Sequence, residues 1–472
     1  MKIIKILTII VFSLIILIPV VTFRSAPHIS SEIDNRMLAE NSFSQELLKD
    51  SEADLTHNIE EYVNDRIGFR DEMILAYTIL NDGLFGKMVH PSYRYGKEGY
   101  VFGAGLTTPA YQYDDYHEQF ANMVKSIQEY CEERNIPFLF VLNPAKPAVL
   151  PEYIPAGIDY NRDWVENFLA ALDQRKVCYV DNTITLRKET ERGNVVFNQK
   201  YDANHWNDLG AFYGTNAILS EVKQDFPSVQ MNQLKDFEVS SQLESSLPVS
   251  QFPIHESVPI IRLPIQDIVT SKTELFKDEL QLDPAYQAFA YYQNLSHSNK
   301  EFPRVLMFQG SYMNKFGYKY LANAFGEYIA VHDYQNILNF PYYYNIFRPD
   351  MVILEVAEYT FSNDYFQYDK MKQLAMNPPL SSISYTDAST TRLPLPTNDI
   401  RIEKGKALAK IDWQTNPTYQ HVWFMLDEQV YDMERVDNGY TVTLLSENIS
   451  ENPKIELIAQ DDQYIVWYSN GH

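Results

Sequence analysis

Cysteine is nearly missing from this chain, with two residues, Cys131 and Cys178, in 472. That count excludes a disulfide framework. Cys131 sits in a helical pattern over 113–134 and Cys178 in a short apolar run over 177–180, so core burial is expected for both, with one external disulfide as the other reading. Cys/His groups at metal-ligand spacing are also missing, as are a glycine-rich phosphate loop and a dinucleotide fingerprint after a strand. No metal and no cofactor are therefore expected. Basic charge is scarce: 39 Lys and Arg face 63 Asp and Glu, a formal net charge of −24. Without a basic groove, nucleic acid is not expected as a partner, and a strongly anionic polymer is disfavoured as a substrate.

The amino terminus supplies the clearest long hydrophobic run. After Lys2 and Lys5 it extends from Ile6 to Phe23, interrupted by Thr8, Ser13, Pro19 and Thr22. As a helix it would reach ~27 Å, nearly the thickness of a bilayer core. Basic residues ahead of the run predict a cytoplasmic start and an external body. A cleaved signal peptide is the rival reading, but Arg24-Ser25-Ala26-Pro27 is a poor small-residue cleavage site, which favours an uncleaved anchor.

Hydrophobic residues make up 45% of the chain and charged ones 22%, a globular balance, and the length predicts two or three domains. The expected order is an anchor or signal segment over 1–25, a helical stalk over 26–95, and an α/β domain over 96–370. A linker rich in Pro, Ser and Thr follows over 371–405, then a small β-sandwich over 406–472. Within the α/β domain, helical patterns over 113–134, 163–175 and 207–224 alternate with strands over 137–142 and 177–180. That rhythm predicts a parallel sheet flanked by helices. Strands over 305–308 and 351–355 complete it, after an insertion over about 240–302 that is expected to border the site. Tyr is frequent, at 34 residues. Trp413, Trp423 and Trp467 in the last domain fit either a sugar-stacking platform or ordinary sandwich packing.

The chemistry concentrates at Tyr201-Asp202-Ala203-Asn204-His205-Trp206-Asn207. An Asp holding the Nδ1 proton of His205 would leave Nε2 free to take a proton from a hydroxyl. The hydroxyl is sought where the apolar strand Val305-Leu306-Met307-Phe308 runs into Gln309-Gly310-Ser311-Tyr312. There Gly310 allows a tight turn, and backbone N–H groups at the start of the following helix, expected from about Lys315, can face an oxyanion. Ser311, His205 and Asp202 are thus the candidate nucleophile, base and orienting acid. Their neighbours Tyr312, Trp206 and Asn207 are candidates for substrate contact, Asn207 doubling as a helix N-cap.

At these residues the chain resembles the alginate O-acetyltransferase family of SGNH-hydrolase-like proteins, the AlgX/AlgJ type. Supporting blocks are Asn64-Asp65-Arg66-Ile67-Gly68-Phe69-Arg70-Asp71, Gly96-Lys97-Glu98-Gly99-Tyr100-Val101-Phe102, and Asn143-Pro144-Ala145-Lys146 with Pro151-Glu152-Tyr153-Ile154-Pro155. The last is Arg348-Pro349-Asp350-Met351-Val352-Ile353-Leu354-Glu355. The family places its acid and histidine before its serine, as here. It often writes Asp-x-His, where this chain has Ala203 two before the histidine and Asp202 three before. Arg70, Lys146 and Glu355 are read as supports of the fold. The resemblance implies a cell-surface acyltransferase that acetylates hydroxyls of an exported polysaccharide, with a membrane-bound O-acyltransferase as acetyl donor. An esterase with the same triad and a noncatalytic glycan-binding surface protein are the alternatives.

Overall fold

The computed structural model describes residues 2–469 apart from 24–29, 32, 34–35, 40–54, 106–111, 249, 264–268, 283–287, 300, 333, 384–389, 417 and 462–463. The cleavage site considered at Arg24 to Pro27 lies outside the described residues, as do parts of the expected stalk, insertion and linker. A helix at Lys2–Val21 carries the amino-terminal apolar run, and by length and composition it could cross a membrane. Two more helices follow, Leu55–Arg66 and Arg70–Phe85.

The α/β body is built on seven strands. They are β1 (Phe138–Asn143), β2 (Tyr179–Asp181), β3 (Val269–Ser271), β4 (Ala288–Asn294), β5 (Arg304–Gln309), β6 (Glu327–His332) and β7 (Met351–Ala357), arranged 2-1-7-5-6-4-3. The five strands from β2 to β6 in that order run parallel. The last two add antiparallel at one edge. Strands β1, β5 and β7 are buried at every position except Arg304, because helices cover both faces of the sheet.

Alternate side chains of each strand supply two separate cores. On one face Phe140, Leu142, Phe308 and Leu354 pack with Phe120, Val124 and Ile127 of helix Asp115–Glu132 and with Phe168 and Leu172 of helix Asp163–Gln174. On the other, Val141, Val305, Met307 and Ile353 meet Phe212, Ile218 and Val222 of helix Asp208–Asp225. Each such buried side chain contributes about 1.5–3 kcal/mol.

The stretch expected as an insertion is structured. It forms the hairpin Glu238–Ser246/Pro253–Arg262 and the edge strands β3 and β4. The stretch expected as a linker holds strands Thr390–Pro394 and Ile400–Lys404, which pair with Ile465–Ser469 and Leu408–Gln414. The carboxyl-terminal unit is two antiparallel-rich sheets of five and four strands around Trp413, Phe424, Tyr431, Tyr440 and Leu457. Asp432 joins it to the α/β body. Its Oδ2 accepts from Tyr130 at 2.5 Å and from Arg134 at 3.1 Å, while Asn345 bonds its backbone on both sides.

Of the two readings of the tryptophans, packing holds for Trp413 and Trp423, which are buried in different clusters, Trp423 donating to the Pro378 carbonyl. One sequence expectation is corrected here. Cys131 is buried as expected, but Cys178 is exposed, because Val177 and Val180 take the inward positions around it. Both thiols are free.

Candidate active site

Ser311, His205 and Asp202 meet at the carboxyl edge of the parallel sheet, where loops of open α/β sheets gather ligands. Strand β5 carries the serine. It ends at Gln309, Gly310 makes the turn, and the chain enters a helical turn at Ser311. Gly310 is required by close approach: a Cβ there would fall 1.8 Å from the Tyr334 ring. Its N–H donates to Glu355 Oε2 at 2.7 Å, and Glu355 Oε1 accepts from Asn143 Nδ2 at 2.6 Å. The buried Glu355 carboxylate on β7 thus ties the serine turn to the end of β1, the supporting part expected of it.

The acid and base come from the loop before helix Asp208–Asp225. Asn207 caps that helix, its side chain accepting from the N–H groups of Leu209 and Gly210, as the sequence indicates. Asp202 stands at φ 57, a left-handed conformation that Asp tolerates better than most residues. In that pose its Oδ1 accepts from the backbone N–H of His205 at 3.0 Å and lies 2.7 Å from His205 Nδ1. His205 Nε2 lies 2.7 Å from Ser311 Oγ. The three candidates therefore form one continuous hydrogen-bonded line, with Ser311 and His205 only partly buried and so open to a reactant.

Sequence reasoning missed three participants. Lys315 Nζ lies 2.6 Å from Asp202 Oδ2, opposite the histidine. It stands in a π-helical turn, Met313–Gly317, a widened geometry that recurs at functional sites. Burial alone would raise the Asp202 carboxyl, but the charge and hydrogen bonds of His205 and then Lys315 outweigh it and hold the acid well below the usual carboxylate range. Burial would lower Lys315, and Asp202 reverses that and raises it.

The second is Tyr359, whose hydroxyl lies 3.5 Å from Ser311 Oγ. Burial lifts this phenol above its ordinary range, so it stays protonated and able to donate. The third is Glu256 of the inserted hairpin, which accepts from the N–H groups of Gln199, Lys200 and Tyr201 at 2.6–2.8 Å and fixes the bend that leads into Asp202. No local pattern links Glu256 to a loop 55 residues earlier, so only the fold reveals it.

The proposed substrate contacts are corrected. Trp206, Tyr312 and Asn207 are buried behind the triad. Trp206 Nε1 donates to the Tyr312 carbonyl, and Tyr312 donates to the carbonyls of Pro144 and Asn204 at 2.8 Å. Asn207 is occupied by its cap and by Val195 and Asn198. These side chains brace the loops that carry His205 and Ser311 against each other, and their own polar atoms are taken by these contacts. Lys146 is likewise internal, donating to the carbonyls of Val101 at 2.7 Å and Gln199 at 3.1 Å. Among the described residues no group of three His, Cys, Asp or Glu side chains could hold a metal ion.

Residues 94–250 match one family model, the SGNH hydrolase-like domain of acetyltransferase AlgX. The match covers about a third of the chain. It includes Asp202 and His205, ends before Ser311, and agrees with the resemblance read from the motifs. Solved structures with similarity to this chain include PatB1 of Bacillus cereus, at 16% identity and TM-score 0.44 over 58% of this chain and 99% of that one. A DHHW family protein from Eubacterium siraeum DSM 15702 aligns at 15% identity and TM-score 0.41, over 60% and 95% of the two chains. AlgX of Pseudomonas aeruginosa aligns at 13% identity and TM-score 0.38, over 80% and 90%. No curated protein sequence matches the chain.

Proposed function

We propose that this protein is an O-acetyltransferase that modifies hydroxyl groups of an exported polysaccharide through a Ser-His-Asp acyl-enzyme. The observation that carries the reading is the pair of 2.7 Å contacts on the two nitrogens of His205, one to Asp202 and one to Ser311. Such a line suits proton transfer off a serine hydroxyl as it attacks an acyl carbon, with the carboxylate holding the ring in the needed tautomer. The AlgX family match over the acid-histidine half supports the acetyl group and the polysaccharide class.

In the first step Ser311 Oγ bonds to the acetyl carbon, His205 Nε2 takes the serine proton, and that proton passes to the leaving oxygen of the donor. In the second, an acceptor hydroxyl loses its proton to His205 and bonds to the acetyl carbon, the Ser311 Oγ–acetyl bond breaks, and Oγ takes that proton back from His205. The Gly310 N–H is taken by Glu355, so the oxyanion falls to the first N–H groups of the helix beginning at Ser311, which lack intrahelical acceptors, and to the Tyr359 hydroxyl. The apolar helix Lys2–Val21 anchors the body outside the membrane, beside a membrane-bound O-acyltransferase that hands over acetyl groups; tethering raises the effective donor concentration.

The test uses full-length protein with an activated acetyl ester and neutral oligosaccharide acceptors, scored by mass spectrometry. Acetylated oligosaccharide should form with the parent protein and fall at least ~10³-fold with Ser311→Ala or His205→Ala. Acetate released with no acetylated acceptor would make the protein an esterase. Equal product from parent and variants would remove the triad from the account.

A further inference from the structure

Among the described residues, nothing covers an apolar face of helix Arg70–Phe85 from Met73 onward. Leu75 and Thr78 turn inward, Leu75 packing beside Tyr93, Val101 and Phe252, and Asp82 accepts from the Tyr95 hydroxyl at 3.0 Å. Outward stand Met73, Tyr77, Leu80 and Leu84, spaced four, three and four apart on one stripe, flanked by Ile79 and Phe85. Tyr77, Leu80, Leu84 and Phe85 are each more than half exposed. A soluble surface rarely shows such a run of large apolar side chains without an occupant. Its charged residues do not interrupt it: Arg70, Asp71 and Glu72 fall in the first turn, and Asp82 is turned inward.

What covers the stripe is indicated by where the helix begins. The N–H of Gly68 donates to the Pro19 carbonyl at 3.0 Å, and a Cβ on Gly68 would collide with Thr22 at 1.8 Å. Phe23 also meets the Tyr62 ring edge-on at 6.3 Å between centroids. The turn at Gly68, just before the striped helix, therefore sits against the carboxyl end of the apolar helix Lys2–Val21. If that helix crosses a bilayer, its carboxyl end marks the outer interface, the depth at which an amphipathic helix with aromatic side chains settles.

We propose that the outer face of helix Arg70–Phe85 lies in the lipid headgroup interface, holding the body flat against the membrane that helix Lys2–Val21 crosses. The proposal rests on the membrane-spanning part of the functional reading and is independent of the triad. The occupant is lipid, because the stripe begins one turn beyond the end of the apolar span and carries no charged side chain that a protein partner could pair.

The experiment uses full-length parent protein in phosphatidylcholine vesicles carrying a trace of lipid with a photoreactive group near the headgroup end of one acyl chain. Crosslinks are mapped by peptide mass spectrometry. Adducts on both the 2–23 segment and Met73 to Phe85 are expected. Adducts on the 2–23 segment alone would overturn the proposal while leaving the span intact; adducts on neither would overturn both. In a second arm, environment-sensitive fluorophores are placed at Leu80→Cys and, as a control, at Lys188→Cys, an exposed position on helix Asn182–Glu191, both in a Cys178→Ser background. Iodide quenching should be several-fold weaker at position 80, with strong quenching there by a lipid-borne quencher. Equal iodide quenching at the two positions contradicts the proposal. Protection from iodide without lipid quenching also contradicts it and points to a protein occupant such as a second copy of the chain.

Discussion

Asp202 serves two partners from one carboxylate, His205 on Oδ1 and Lys315 on Oδ2. The second contact fixes the carboxylate plane and offsets part of its charge, which compensates for a left-handed backbone that costs on the order of 1 kcal/mol or more. Because the folded-state carboxyl is held below its ordinary range, the stability it contributes is present above that range and is lost only as pH falls through the lower folded value. Mild acid therefore leaves the Asp202 contacts in place. Lys315→Met should lower kcat by roughly 10- to 100-fold with KM nearly unchanged, since misplacing a catalytic group is felt mainly in the transition state. Lys315→Arg, which keeps the cation beside Asp202, should recover most of the loss. Steady-state kinetics of the three proteins, each checked for folding by circular dichroism, test this, and a drop in kcat that only follows the loss of folded protein would reduce Lys315 to a structural role. The sequence exposed Ser311, His205 and Asp202 because each sits in a short local pattern. It hid Lys315 and Tyr359, since helical position and strand-end placement of single polar residues leave no repeat to read.

The turn between β5 and the helix that follows it decides where Ser311, the proposed nucleophile, points. Gly310→Ala would drive a methyl group into the Tyr334 ring, which itself packs edge-on against Tyr365. Overpacking of this kind costs about 1–3 kcal/mol, so the variant should unfold at lower urea and lose activity through a displaced Ser311. An unchanged unfolding midpoint would mean that the ring yields freely. The strands β1, β5 and β7 and the helices beside them were legible because continuous apolar runs and 3.6-residue periodicity mark them within a residue or two. Strand β6 was not, since Tyr328-Ile329-Ala330-Val331 follows a helix directly and a short apolar run after a helix has no period of its own. The hairpin at 238–262 and strands β3 and β4 were read as an insertion for a related reason. The hairpin forms a separate, largely exposed two-stranded sheet, and β4 pairs with β6, about 40 residues on in sequence. The strands at 390–404 were hidden by the Pro, Ser and Thr around them.

Across the whole molecule, one buried cation joins three segments and reports on global stability. Lys146 is fully buried and donates to Val101 and Gln199, so it ties the hairpin around residue 101 to the loop leading into Asp202. Burial pulls its ammonium down to about 7, against the upward pull of Glu256 and Asp202. An unfolded lysine keeps its proton to about pH 10.4, so above about pH 7 the unfolded chain binds more protons and this group makes folding more favourable as pH rises. The urea midpoint should therefore climb between about pH 7 and pH 9 in the parent protein, and Lys146→Met should flatten that slope while lowering stability overall. An identical slope in both proteins would remove Lys146 from the titration. At this scale the sequence announced the apolar amino-terminal helix, the parallel sheet and the terminal β-sandwich, while the seam held by Asp432 and the bracing by Glu256 of the loop before Asp202 depend on contacts that only the folded chain makes. The account as a whole turns on whether Ser311 accepts an acyl group. Full-length protein treated with an activated acetyl ester, quenched in acid and digested should carry acetyl on the peptide containing Ser311. The adduct should vanish in Ser311→Ala and nearly vanish in His205→Ala. Acetyl found only on lysines, in equal amounts in all three proteins, would contradict the account.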